Sequence, residues 1–95
     1  MSKKEITELY RSWCKQYKNH RPDRAVVRMY WEDEGTEEQR TDIVALKSSD
    51  INTPPDDSEI LYYASGLKGL LELTKPDNGS DFVVTEVLQF YRYAE

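Results

Sequence analysis

The sequence predicts an α+β domain. It reads as an antiparallel sheet of three to four strands, with an N-terminal amphipathic helix and a second, shorter helix packed on one face, in the order α-β-β-(β)-α-β. Three observations carry this expectation. Apolar residues recur at helical spacing from Ile6 to Tyr17. After Arg24 the rhythm changes to alternation rich in Val, Ile, Tyr and Trp. Clusters of Pro, Gly, Asn and Asp then cut the chain into short runs.

The helix opens on Ser2, with Glu5 three residues on, the pattern of a capping box. Ile6, Leu9, Tyr10, Trp13 and Tyr17 share one face and are expected to dock on the sheet. Glu8, Arg11, Lys15 and Lys18 fall on the other faces, and Asn19, His20 and Pro22 end the helix. Arg24 to Glu32 reads as a strand whose core face is Ala25, Val27, Met29 and Trp31. The polar stretch Asp33–Glu38, with Gly35, reads as a turn into a second strand from Thr41 to Lys47, giving a hairpin.

Ser48 to Asp57 reads as a loop, since Pro54-Pro55 blocks helix and ladder alike. The next segment fits one helix from Asp57 to Thr74. It equally fits a strand from Glu59 to Ala64, followed by a helix from Gly66 to Thr74 that Ser65 caps. Gly66 and Gly69 inside a single helix would cost ~1 kcal/mol each relative to alanine, and Tyr62-Tyr63 suits a strand, so the split is preferred. Lys75–Ser80 is a turn, with Asn78-Gly79 suited to positive φ. Asp81–Tyr93 is the longest strand pattern. Its near-continuous apolar first half predicts a central position, and its length predicts a bulge near Thr85-Glu86.

Ninety-five residues are expected to form one domain, 1–95. The apolar share of 38% is low and the charged share of 33% high, but two Trp, seven Tyr and two Phe are too many for a chain that cannot pack. Cys14 is the single cysteine, so neither an internal disulfide nor a thiolate-built zinc site is expected. No stretch approaches ~18 apolar residues and the start lacks a signal-length apolar run, so the expectation is a cytoplasmic protein with no membrane partner.

Charge is unevenly placed within a formal total of −5. Met1–Arg28 carries eight basic residues against three acidic ones; the remainder carries five against fifteen. Arg11, Lys15, Lys18, Arg21, Arg24 and Arg28 could form a phosphate-binding footprint. The preferred reading is that they soften the self-repulsion of the acidic body, which needs no ligand.

No catalytic constellation stands out, and neither a cofactor nor an enzymatic activity is expected. His20 reads as a helix-end residue and Cys14 as a half-buried small apolar one. The acidic clusters Glu32, Asp33, Glu34, Glu37, Glu38 and Asp50, Asp56, Asp57, Glu59 lack cation-binding spacing. Gly66-Leu67-Lys68-Gly69 is too short for a phosphate-binding pattern.

Tyr30, Tyr62, Tyr63, Tyr91 and Tyr93 fall on strands and could form an amphipathic platform. The leading expectation is therefore a small non-enzymatic interaction or regulatory module, binding a protein partner or itself through this tyrosine-bearing face or a strand edge. The alternative is a nucleic-acid-binding protein using the basic helix and the Arg21–Arg28 segment. Less weight falls on an acidic inhibitor that imitates nucleic acid.

Overall fold

The computed structural model describes residues 1–18, 20–33, 36–47 and 60–92, with backbone alone at 32, 33, 36 and 37. Its elements are α1 (Lys3–Gln16), β1 (Arg24–Asp33), β2 (Thr36–Leu46), β3 (Ile60–Ala64), α2 (Gly66–Glu72) and β4 (Phe82–Tyr91). The segment from Ile60 is thus a strand followed by a helix. Asn19, Glu34, Gly35, the Pro54-Pro55 loop, Asp50, Asp56, Asp57, Glu59 and Tyr93 lie outside the described residues.

The capping box at the start of α1 is formed. Ser2 Oγ accepts the Glu5 N–H at 3.1 Å, and Glu5 Oε1 accepts the Ser2 N–H at 3.1 Å. That bond to the Ser2 backbone is the main reason the Glu5 carboxyl sits below its ordinary range. At the other end the Tyr17 N–H reaches Trp13 O, and Lys18 takes a left-handed φ of 55°. A residue in that conformation is the usual stop of a helix, although glycine normally supplies it. Ile6 is fully buried against the sheet, and Leu9, Tyr10 and Trp13 pack around it. Tyr17 corrects the expected docking face: it is 48% exposed.

The sheet order is β3-β2-β1-β4. β1 pairs antiparallel with both β2 and β4, whereas β3 runs parallel to β2, so the sheet is mixed rather than wholly antiparallel. The β1–β2 register runs from Arg24 opposite Ala45 to Asp33 opposite Thr36. Asp33, Thr36, Glu37 and Glu38, read as part of the turn, are therefore strand. This end of the hairpin presents exposed Glu38, Gln39, Arg40 and Thr41, so no apolar alternation marks it.

β4 is an edge strand, which overturns the central position expected of it. Its pairing with β1 skips Thr85 and Leu88, two bulges, one of them where the length of the pattern predicted it. The buried residues are consequently Phe82, Val84, Val87 and Phe90, spaced by two and then by three. Val83, half-buried on the other face, makes the first half look continuously apolar, and the extra Leu88 is 40% exposed. β1 holds the centre, with Ala25, Val27 and Met29 all fully buried.

Both helices contribute to the core on that face: Ile6 from α1 and Leu70 from α2 join Ala25, Val27, Met29, Val44, Leu46 and Phe90. Gly69 explains the glycine inside α2. A Cβ there would stand 3.2 to 3.4 Å from Ala64, so the helix lies directly on the end of β3. Ser65 precedes α2 but makes no side-chain cap. Leu73 O accepts the Val84 N–H at 2.9 Å, tying the end of this helical segment to β4. The Asn78 side-chain amide lies 2.9 to 3.0 Å from the carbonyls of Leu73, Lys75 and Phe82, and so holds the turn shut. Gly79 supplies the positive φ, at 79°.

Candidate interaction site

The tyrosines do not share one platform. Side chains of paired residues lie on one side of a sheet and alternate along each strand. Tyr63, Ala45, Arg24 and Tyr91 therefore form one row across the face away from the helices. Tyr62 pairs with Val44 on the opposite, helix-bearing face, where its ring meets Phe82 edge-on at 5.9 Å. Tyr30 lies on the outer face but six residues along β1 from that row. It borders a hollow of ≈ 350 Å³ with Pro76, Ser80 and Asp81. Lys47 Nζ sits 4.6 Å from the centre of the Tyr63 ring.

The basic residues separate as well. Arg11, Lys15, Lys18 and Arg21 are exposed. Arg24 is not: its side chain is 1% exposed, with Nη1 3.1 Å from Asp23 O and 3.7 Å from the buried Asp23 carboxylate. It presents no charge to a ligand in solution. Arg28 spans to β4 and meets Glu86 at 3.0 Å. Within the Arg21–Arg28 part of the footprint, Arg24 is thus buried and Arg28 is engaged with Glu86, while Arg21 stays exposed.

A different constellation emerges where α1 ends beside β4. Trp13 and Tyr17, one turn apart, stack with ring centres 4.4 Å apart. Together with His20 they form one wall of a groove of ≈ 580 Å³. The other wall is Gln89, Phe90, Tyr91 and Arg92. Side chains of consecutive strand residues point to opposite faces. A hollow lined by three strand residues in a row, with Arg92 just past the strand, therefore runs along the strand edge and meets the backbone. Because β1 occupies one side of β4, this is the outer edge.

That edge is already used in its first half. Leu73 O accepts from Val84 N, the Met1 amino group donates to Thr85 O at 3.1 Å, and the Val87 N–H reaches Met1 Sδ. Among the described residues, no comparable bond covers the outer edge of 88–90. Arg92 Nη1 donates to Arg21 O at 3.0 Å and so ties the chain entering β1 to the end of β4.

Sequence reasoning missed this groove because Tyr17 lies at i+4 from Trp13, spacing that suits docking and display equally. A further aromatic cluster lies on the helix-bearing face: Trp31 stacks on Phe82 at 5.6 Å, and Arg40 sits over the Trp31 ring at 5.4 Å. Burial pushes the Cys14 thiol above its ordinary value, opposed by the Arg21 charge, so it is not an activated thiolate. Among the described residues, no three His, Cys, Asp or Glu side chains come together as a metal site would require, and no helix is long and apolar enough to cross a membrane. Comparison with protein-family models, with curated proteins and with solved structures found no match to this chain.

Proposed function

We propose that this chain is a small non-enzymatic interaction module that holds a protein partner along the outer edge of β4. The observation that supports this reading is the groove itself. An edge strand lies beside an aromatic wall, which is how domains that bind by strand addition take a partner: the backbone supplies hydrogen bonds and the wall supplies a side-chain pocket. Its volume falls within the few hundred to about a thousand Å³ of ordinary binding clefts. Of the sequence-derived tyrosines, Tyr91 belongs to this surface; Tyr30, Tyr62 and Tyr63 do not line it. A cytoplasmic setting belongs to the same reading, as does the absence of catalysis.

The test is position-specific photo-crosslinking in native cells. A crosslinking side chain at Gln89 should yield a discrete, nuclease-resistant protein adduct, and one at Gln39 should not. Equal adducts from both positions, or adducts removed by nuclease, would count against the reading.

A further inference from the structure

We infer that the occupant of this groove is a second copy of the chain, paired antiparallel along β4 about a two-fold axis at Gln89, so that two four-stranded sheets join into one. This rests on the interaction reading above and names its partner. The open stretch has backbone to offer. Tyr91 O accepts the Asp23 N–H on the β1 side. Backbone groups alternate between the two edges of a strand, so those of Phe90 face outward. Its neighbours Leu88 and Gln89 are exposed, and 88–90 holds neither the charge nor the proline that commonly guards an edge.

The register is self-complementary. An axis at Gln89 sets each residue opposite the one equally far beyond it, so Leu88 faces the partner's Phe90 and Glu86 faces the partner's Arg92. Apolar meets apolar at the inner pairs and carboxylate meets guanidinium at the outer ones, whatever contacts those groups keep within their own chains. From Glu86 to Arg92 no like charges face each other. Leu88, 40% exposed, gains cover beside Phe90, which lines the groove with Trp13 and Tyr17. Each copy thus supplies the apolar side chain that the other's groove takes, and one closed contact uses both open β4 edges. The open stretch is short, so association is weak and rises with concentration. A foreign strand would meet the same backbone without this matched register, and a nucleic acid makes no use of a strand edge.

The experiment is disulfide trapping on the intact chain, with Cys14→Ser removing the native thiol. On the axis the two copies of residue 89 lie within disulfide reach. Gln89→Cys should give a disulfide-linked dimer at least about tenfold faster than Gln39→Cys, at an exposed position of β2, because pairing raises the effective thiol concentration. Sedimentation of the parent chain should show a monomer–dimer equilibrium. Leu88→Arg, a change at an exposed position, should shift it to monomer. In cells, the photo-adduct at Gln89 should have twice the mass of the chain. Sedimentation and the photo-adduct keep the native cysteine and serve if Cys14→Ser perturbs folding. A photo-adduct of any other mass would overturn the second copy while leaving the interaction reading standing. Absence of a protein adduct would overturn both. Equal trapping at positions 89 and 39, a chain that stays monomeric up to about 1 mM, or a dimer indifferent to Leu88→Arg would overturn the two-fold pairing.

Discussion

Trp13 and Tyr17 stack on each other at 4.4 Å, with their ring planes 30° apart, yet they do different work. Trp13 packs against the core, whereas Tyr17 rests on Trp13 and keeps nearly half its surface in water. Trp13→Ala should therefore destabilise the fold by about 2 kcal/mol, roughly half the cost of truncating a fully buried aromatic. Tyr17→Ala should cost less than about 1 kcal/mol, yet remove the outer part of the groove wall. Chemical denaturation of the two variants checks this; equal losses would show that Tyr17 is a docking residue after all.

Arg24 separates the structural from the exposed basic residues. Its removal leaves the fully buried Asp23 beside an emptied site. Arg24→Ala should cost about 3 kcal/mol, the scale for breaking a buried ion pair by deleting one member. Lys15→Ala, on the exposed side of α1, should stay within about 0.5 kcal/mol. Comparable denaturation midpoints for the two would contradict the burial of Arg24.

Lys18 holds a backbone conformation that a side chain disfavours by about 1 kcal/mol. Lys18→Gly should raise stability by up to that amount, a Tm gain of several degrees in a domain of this size. A lower Tm would mean that the lysine side chain supplies more than the strain it carries.

The capping box makes α1 sensitive to acid. The Glu5 carboxyl has a lowered pKa in the folded chain, so its contribution is fully present above the ordinary value of 4.5. It is lost as pH falls through the lowered value. Glu5→Gln removes the charge that accepts the Ser2 N–H and should lower stability near neutral pH. The difference from the parent chain should shrink as urea denaturation is followed below pH 4.5. A difference independent of pH would mean that the Glu5 charge does not hold the box.

Much of the architecture was legible because its signals are local. Ser2 and Glu5 announced α1, and Gly66, Gly69 and Tyr62-Tyr63 announced the break between β3 and α2. Strand direction is not a local property. Ile60–Ala64 reads the same whether it runs with or against β2, and the antiparallel expectation took no account of the long connection after Leu46, the length that a parallel pairing needs. The edge position of β4 was hidden by Val83, which stands on the outward face between Phe82 and Val84 and makes the first half of the strand look apolar on both faces. The groove was illegible for a related reason: Trp13, Tyr17 and Arg92 meet only because β4 lies at the edge.

The two neighbours of β1 come from very different times in the life of the chain. β2 follows it directly, but β4 is the last strand in order, and Arg24 waits for Tyr91. On a ribosome the β1–β2 hairpin can form early. It then carries an unpaired edge and uncovered Ala25, Val27 and Met29 until the later segment has emerged. Synthesis halted ahead of Phe82 would release an adhesive partial sheet rather than a smaller domain, a species that invites aggregation and chaperone capture.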